Sequence, residues 1–124
     1  MVKKIVVVDD DRDILEFVEF ALEDEGYSVE IDTGGGCFRR LQPDNLPDLI
    51  LLDVNLSGED GRDLCRQLRA SDLTRRIPIL LYSADDVGAQ IQKDRCADDF
   101  LAKPFSLGTL IKKVKRLVSL QRRA

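Results

Sequence analysis

The chain has 124 residues, which is the length of a single domain and too short for an eight-unit α/β barrel of about 250 residues. Hydrophobic residues make up 44% and charged residues 34%, as in a soluble globular protein with an ordinary core. The formal net charge of −4 argues against nucleic acid as the main partner, and the absence of histidine removes the commonest general base and metal ligand.

No apolar run approaches the ~20 residues that a membrane-spanning helix needs, and the N-terminus carries no signal-peptide cleavage site. We therefore expect a cytoplasmic protein that does not bind membranes. The three cysteines, Cys37, Cys65 and Cys96, are widely spaced and include no CxxC pair. They predict neither a disulfide framework nor a zinc site, and we expect small buried apolar residues.

Strand and helix patterns alternate along the first half of the chain. Residues 5–8 are continuously apolar and β-branched, which predicts a strand buried on both faces. Apolar residues then recur at helical spacing up to Gly26, and residues 27–32 alternate as a second strand would. A helix around Cys37 to Leu41 is predicted to start late or fray, because the three preceding glycines each cost about 1 kcal/mol relative to alanine in a helix interior.

The alternation continues in the second half. Residues 49–53 predict a third strand, which is followed by a polar loop and a helix. Residues 79–83 predict a fourth strand, residues 86–95 a helix with a thin apolar stripe, and residues 100–102 a short fifth strand. The last helix starts at about Ser106 and is amphipathic, with one face made of Leu107, Leu110, Ile111, Val114, Leu117 and Val118.

Five successive strand–helix units predict an α/β protein with a five-stranded parallel sheet, right-handed crossovers and helices on both faces. In open sheets of this kind, ligands bind beyond the carboxyl ends of the strands, where the winding reverses. For strand order 2-1-3-4-5 that point lies between strands 1 and 3. These two strands end in Asp9-Asp10 and in Asp53, so the acids fall where the topology predicts a site.

Polar side chains follow four of the predicted strands. Asp9 and Asp10 follow the first, Asp53 ends the third, Ser83 ends the fourth, and Lys103 lies just beyond the fifth. Because the carboxyl ends of parallel strands meet at one edge of a sheet, we expect these side chains to gather there. Three acids, a hydroxyl and an ammonium predict a site for a divalent cation and a phosphoryl group.

Each of these residues alone also has a structural explanation. Acids after the first strand suit the positive end of a helix dipole, and we prefer that interpretation for Asp11 and Asp13. Asp53 by itself could be a turn residue or an N-cap, and Ser83 could cap the next helix. Phe100 is a core residue by default. The combination of the acids with Lys103 favours the functional interpretation.

The ordered set of motifs resembles the receiver domain of two-component response regulators over the whole chain, residues 1–124. The motifs are Val7-Val8-Asp9-Asp10, Leu51-Leu52-Asp53 with Gly61 beyond it, Ser83-Ala84, and Asp98-Asp99-Phe100-Leu101-Ala102-Lys103-Pro104-Phe105. The resemblance, which extends to single-domain chemotaxis-type regulators, implies a flavodoxin-like fold and one receiver domain.

The resemblance implies that Asp53 is the phosphoacceptor and takes its phosphoryl group from a histidine kinase or a histidine phosphotransfer protein. It also implies that Mg²⁺ is bound directly by Asp10, Asp53 and the backbone carbonyl of Asn55, and through water by Asp9. Mn²⁺ could replace Mg²⁺. The chain would promote only its own phosphorylation and dephosphorylation and would not otherwise act as an enzyme.

The resemblance further implies that Ser83, Ala84 and Lys103 bind the phosphoryl group. Ser83 and Phe100 would form the switch, and the Lys103-Pro104 peptide bond would be cis. The signal would then be read from the face formed by helix 4, strand 5 and helix 5. The reader would be a downstream effector protein or an output domain.

The sequence departs from the family pattern at Ser57, and it leaves two other functions possible. Ser57 stands where the family usually has proline, which predicts a more mobile loop after Asp53. Residues 5–11 also suit a small Mg²⁺-dependent phosphatase of the haloacid dehalogenase type, with Asp9 as the nucleophile, although Asp13 stands where that motif has threonine or valine. The third possibility is a pseudo-receiver, a binding platform that is not phosphorylated.

Overall fold

The computed structural model describes residues 2–83 and 96–120. None of the helices in this part of the chain is both long and apolar enough to cross a membrane. The elements in chain order are β1 (Lys4–Val8), α1 (Arg12–Asp24), β2 (Ser28–Asp32), a 3₁₀ helix (Gly35–Arg40), β3 (Leu49–Asp53), β4 (Asn55–Leu56), β5 (Glu59–Asp60), α2 (Gly61–Ala70), β6 (Ile79–Ser83), β7 (Asp99–Ala102) and α3 (Leu107–Val118).

Five strands form one parallel sheet in the order β2-β1-β3-β6-β7. Every residue of β3 and β6 is buried, since helices cover both faces of the sheet. The α/β class and the parallel five-stranded sheet are therefore as predicted. The bounds predicted for the third and fourth strands, 49–53 and 79–83, are also those observed.

The predicted strand order, 2-1-3-4-5, differs in detail from the observed one. The first three positions agree, but the last two strands of the large sheet are the sixth and seventh of the strands in the described residues. The difference arises from β4 and β5, which have two residues each and form a separate antiparallel pair between β3 and α2. Strands of two residues have no periodicity, so hydrophobic patterns do not predict them.

Two hydrophobic clusters pack against the two faces of the large sheet. On one face, α1 and α3 cover alternate residues of the strands, and the helical residues buried there include Leu15, Val18, Leu22, Leu110, Val114 and Leu117. On the other face, the 3₁₀ helix and α2 contribute Cys37, Cys65 and Leu68. Successive strand side chains alternate between the two covered faces, which explains why the central strands are apolar except at their ends, at Lys4, Asp53 and Ser83.

The helix ends follow the sequence closely. The Asp11 side chain accepts hydrogen bonds from the amides of Asp13 and Ile14, so Asp11 is the N-cap of α1. After α1, Gly26 has φ of +96°, a left-handed conformation that favours glycine. The predicted weak helix after the glycines is a 3₁₀ helix. The helix predicted over residues 86–95 lies outside the described residues.

The cysteine prediction needs a correction. Cys65 in α2 and Cys96, just before β7, form a disulfide, with their Cα atoms 6.1 Å apart. Their separation of 31 residues gave no sign of this proximity, which arises because α2 and the residues just before β7 pack in the same hydrophobic cluster on one face of the sheet. Cys37 is a free buried cysteine, as predicted, and burial followed by the charge of Asp32 raises the pKa of its thiol to about 12.

Candidate metal and phosphoryl site

Three carboxylates meet at the carboxyl edge of the large sheet. Asp9 and Asp10 follow β1, and Asp53 is the last residue of its neighbour β3. Each offers one carboxylate oxygen, and these oxygens all lie within 4.8 Å of one another. Asp9 and Asp53 are buried, whereas Asp10 is exposed. Oxygen ligands alone, without histidine or thiolate, suit a hard cation such as Mg²⁺.

Lys103 joins two of these acids. Its Nζ atom lies 3.0 Å from Oδ2 of Asp53 and 3.2 Å from Oδ2 of Asp9. The Lys103 backbone amide donates to the carbonyl of Ser83, which extends the pairing of β6 with β7 by one residue. The Lys103-Pro104 peptide bond is cis. The ladder between the last two strands thus brings the ammonium back over the acids of β1 and β3.

Burial and charge act in opposite directions on this pair. The pKa of Asp53 is raised to about 6, mainly by burial and also by the charge of Asp9, although the hydrogen bonds from the Asn55 amide and the Lys103 ammonium lower it. Burial disfavours the charge of Lys103, but the carboxylates of Asp53 and Asp9 outweigh it and raise the lysine pKa. The lysine is therefore charged at neutral pH, and Asp53 ionises only above mildly acidic pH.

Backbone groups fix the orientation of the two buried acids. Oδ1 of Asp9 accepts a hydrogen bond of 2.9 Å from the amide of Asp11, and Oδ1 of Asp53 accepts one of 3.0 Å from the amide of Asn55. Gly61 allows the loop after Asp53 to close. Its amide donates to the Val54 carbonyl at 2.7 Å, and any side chain at this position would overlap the Asp53 backbone.

Ser83 ends β6 beside the acids and is fully buried. Its Oγ atom accepts a hydrogen bond of 3.3 Å from the side-chain amide of Asn55, which lies in β4. The strand ends therefore bring together Asp9, Asp10, Asp53, Ser83 and Lys103, with Asn55 between Asp53 and Ser83. The predicted phosphoryl-binding residue Ala84 lies outside the described residues.

The predicted switch residue Phe100 lies in β7, opposite Leu81 of β6. Its side chain is partly buried and packs against the cluster that contains Val8, Leu52 and Cys96. It does not belong to the acid cluster. A switch role for this ring therefore depends on movement of β6 or β7, and not on direct contact with the acids.

The sequence analysis missed Tyr82, which it counted only as part of an apolar strand. The Tyr82 hydroxyl donates to Oδ2 of Asp9 at 2.8 Å, and its ring centroid lies 4.8 Å from Nζ of Lys103. The ring also packs edge-on against Phe105, with centroids 6.1 Å apart. Burial and the charge of Asp9 raise the pKa of the phenol well above its ordinary value, so the phenol stays protonated at neutral pH and donates a hydrogen bond to Asp9. The only signal in the sequence is a hydroxyl at the end of an otherwise aliphatic run.

Ser57 is a second residue with an unpredicted contact. Its Oγ atom donates a hydrogen bond of 2.9 Å to Oδ2 of Asp10, the exposed member of the acid cluster. The departure from the family's usual proline thus places a hydroxyl on a candidate metal ligand. The predicted mobility of this loop stays a prediction.

Together, the fold and the site define a parallel α/β domain with an acid and lysine pocket where its winding reverses. The chain belongs to the response regulator receiver domain family, whose model matches residues 5–115. The family is a signalling module of two-component systems.

Solved structures agree with this assignment. A putative response regulator from Chloroflexus aurantiacus J-10-fl is 34% identical, with a TM-score of 0.85 over 97% of this chain and 100% of that chain. The response regulator protein TrrA from Thermotoga maritima, solved in complex with Mg²⁺-BeF, is 28% identical, with a TM-score of 0.82 over 94% of this chain and 99% of that chain. The receiver domain of a sensor histidine kinase from Pseudomonas aeruginosa PAO1, with a magnesium ion in its active site cleft, is 27% identical. Its TM-score is 0.83 over 97% of this chain and 100% of that chain.

Proposed function

We propose that residues 1–124 form one receiver domain that accepts a phosphoryl group on Asp53 in a Mg²⁺-dependent reaction. The observation that carries the proposal is the position of the Lys103 ammonium, within hydrogen-bonding distance of both Asp53 and Asp9 beside an exposed third acid. The donor is a histidine kinase or a histidine phosphotransfer protein. The Mg²⁺-BeF complex of the Thermotoga relative supports the choice of cation and group.

Asp10, Asp53 and the backbone carbonyl of Asn55 would hold Mg²⁺ directly, and Asp9 would act through water. The hydrogen bonds of Asp9 support its indirect role, because Oδ1 accepts from Asp11 and Oδ2 accepts from Tyr82 and Lys103. When bound, Mg²⁺ would neutralise charge on the acids and on the transferring phosphoryl group. Mn²⁺ offers similar coordination and could take its place.

Asp53 acts as the nucleophile. One of its carboxylate oxygens forms a bond to phosphorus while the bond from phosphorus to the donor nitrogen breaks, and the donor histidine leaves with the electron pair. The reaction requires ionised Asp53, which the pKa of about 6 allows at neutral pH. Lys103 and Ser83 donate to the phosphoryl oxygens, where catalysis is mainly positioning and electrostatic stabilisation.

The phosphorylated domain then switches its surface. Ser83 is buried next to the site and its carbonyl holds the amide of Lys103, so a movement of Ser83 toward the new oxygens pulls on the join between β6 and β7. Phe100 lies on β7 and would move with it. The described part of the output face consists of β7 and α3, where Lys113 and Arg116 pair with Asp99. A downstream effector protein or an output domain would read this face.

Two rival functions have less support. A haloacid-dehalogenase-type phosphatase would need Asp9 as the nucleophile, but Asp9 has no exposed surface and accepts three hydrogen bonds, from Asp11, Tyr82 and Lys103. Among the described residues, Asp53 accepts only two, from Asn55 and Lys103. A pseudo-receiver would not need the lysine between the acids.

The experiment is incubation of the protein with Mg²⁺ and acetyl phosphate, followed by intact mass measurement. We expect one phosphoryl adduct on the wild type and none on Asp53→Ala. The matched control is Asp63→Ala, an exposed acid of α2 that pairs with Arg66, and this variant should be labelled normally. An adduct that survives in Asp53→Ala would exclude Asp53 as the acceptor. Sustained hydrolysis of a phosphate monoester would favour the phosphatase, and an unlabelled wild type would favour the pseudo-receiver.

A further inference from the structure

Two protein donors share a single oxygen of Asp9. Its Oδ2 atom accepts from the Tyr82 hydroxyl at 2.8 Å and from Nζ of Lys103 at 3.2 Å. Asp9 has no exposed surface, so bulk water does not replace a donor that leaves this oxygen without a rearrangement of the pocket. The water between Asp9 and Mg²⁺ in the proposed function would be bound before and after the transfer alike, so it does not compensate for a donor that leaves. A buried carboxylate oxygen without a donor is costly.

The two donors differ in their freedom to move. The Tyr82 side chain is 1% exposed, lies on the central strand β6, and packs edge-on against Phe105. Its hydroxyl is also 3.4 Å from the carbonyl of Val8, so it is held between β6 and β1. Lys103 reaches the acids through four methylene groups from beyond the end of β7 and also contacts Asp53. Of the two, only the ammonium can leave Asp9.

The proposed phosphoryl transfer makes this difference important. Lys103 pairs with Asp53 and Asp9 before the transfer, whereas the new phosphoryl oxygens lie beyond Asp53 and need the ammonium. A lysine that turns to these oxygens weakens its hydrogen bond to Asp9. The oxygen that it leaves would then be without a donor, unless another group already serves it.

We propose that Tyr82 is a positioning residue, whose hydroxyl keeps Oδ2 of Asp9 hydrogen-bonded while Lys103 turns toward the phosphoryl group. This inference rests on the proposed function, because it concerns the state in which a phosphoryl group is bound. It makes Tyr82 a determinant of how well the pocket accepts that group, and not of how well it holds the cation.

The test is Tyr82→Phe, which keeps the ring, its packing on Phe105 and its position beside Lys103, and removes only the hydroxyl. Calorimetry gives the Kd of Mg²⁺, and then the Kd of fluoroberyllate, a phosphoryl mimic, at saturating Mg²⁺. We expect the Mg²⁺ Kd to change by less than about twofold and the fluoroberyllate Kd to weaken about 10- to 100-fold, as for the loss of one hydrogen bond to a charged group.

Two further variants make the result specific. Tyr27→Phe removes the hydroxyl of the other tyrosine, which precedes β2 and packs against the hydrophobic cluster under α1 and α3. This change should leave the Kd of Mg²⁺ and the Kd of fluoroberyllate unchanged. In a Lys103→Met background no ammonium leaves Asp9, so adding Tyr82→Phe should change the fluoroberyllate Kd by less than about twofold.

Each other outcome is decisive. Equal weakening of Mg²⁺ and fluoroberyllate binding by Tyr82→Phe would mean that Tyr82 only shapes the metal pocket, and no weakening of either would mean that the hydroxyl has no role. Both results overturn the inference and leave the proposed function intact. A wild type that binds Mg²⁺ but neither fluoroberyllate nor a phosphoryl group would overturn the proposed function together with the inference.

Discussion

Gly61 lies against the backbone of Asp53 so closely that a Cβ atom at position 61 would overlap the Asp53 carbonyl oxygen and come within 2.8 Å of its carbonyl carbon. The first residue of α2 therefore sets the path of the loop that leaves the candidate phosphoacceptor. The Gly61 amide reinforces this path through its hydrogen bond to Val54.

We expect Gly61→Ala to lower the free energy of unfolding by about 1–3 kcal/mol, the usual cost of overpacking a buried site. The same change should slow labelling of Asp53 by acetyl phosphate, because the backbone must shift at the acceptor. Urea denaturation and intact mass measure the two effects. The control is Gly108→Ala in α3, where a Cβ atom meets nothing within 4 Å. That change should stabilise the protein by up to about 1 kcal/mol. A Gly61→Ala protein as stable as the wild type would contradict the close approach.

Asp53 should lower stability at neutral pH. Its pKa is raised from 3.8 to about 6, so the folded protein binds this proton more tightly than the unfolded chain does. This contribution is fully present below about pH 4 and is lost as the pH rises through about 6, on the order of 2–3 kcal/mol in total. We expect Asp53→Asn to be more stable than the wild type above about pH 7, with a difference that shrinks toward zero below about pH 4. Urea denaturation across this range tests it.

The matched control for this titration is Asp63→Asn, since Asp63 is exposed and pairs with Arg66 on the surface of α2. Its effect should stay within about 0.5 kcal/mol at every pH. A constant difference between Asp53→Asn and the wild type would show that the Asp53 carboxylate titrates normally.

Lys103→Met should slow phosphorylation by acetyl phosphate about 10²- to 10³-fold at saturating Mg²⁺, as expected for removal of one preorganised electrostatic contact. The methionine keeps most of the aliphatic part of the lysine side chain but removes the ammonium group that contacts Asp9 and Asp53. Stopped reactions analysed by intact mass give the rate constant. Lys112→Met, an exposed lysine on α3, should react as the wild type does. An undiminished rate in Lys103→Met would remove the lysine from the proposed mechanism.

Ser57→Ala should tighten Mg²⁺ binding about two- to fivefold, since Asp10 would no longer give up the hydrogen bond from the Ser57 hydroxyl. Calorimetry measures the Kd directly. Ser28→Ala, at the opposite end of the sheet in β2, should have no effect. Weaker binding by Ser57→Ala would mean that the hydroxyl orients Asp10 for the cation.

The Cys65–Cys96 disulfide should contribute about 3.5–4 kcal/mol to the free energy of unfolding, because a cross-link that closes a loop of this length restricts the unfolded chain. We expect Cys96→Ser to be less stable than the wild type by that amount without reductant and equally stable in its presence. A thiol assay on the denatured, unreduced wild type should detect only Cys37. Three reactive thiols would exclude the disulfide.

The elements and the acid cluster could be predicted because their signals are local. Strands such as β3 and β6 are continuous apolar runs, and parallel pairing puts their ends at one edge whatever the details of the packing. The acids at those ends therefore had to meet.

The remaining features depend on contacts between segments that are distant in the sequence, and hydrophobic periodicity gives no information about such contacts. In the sequence, Tyr82 is indistinguishable from the other apolar residues of a buried strand. Its role becomes visible only in the fold, where Asp9, which follows β1, accepts a hydrogen bond from its hydroxyl. In the sequence, Ser57 has the pattern of an ordinary turn residue, and only the fold shows that its hydroxyl donates to Asp10. The disulfide forms because α2 and the residues just before β7 pack on the same face of the sheet, and the spacing of the cysteines alone does not reveal this.

That covalent link has a topological effect on β6. Bonded to each other, Cys65 and Cys96 enclose residues 66–95 in a closed ring, and the strand that carries Tyr82 and Ser83 is part of it. A protease that cuts the backbone once inside this ring would leave the two fragments attached, so the nicked protein would migrate as one band until a reductant separated it.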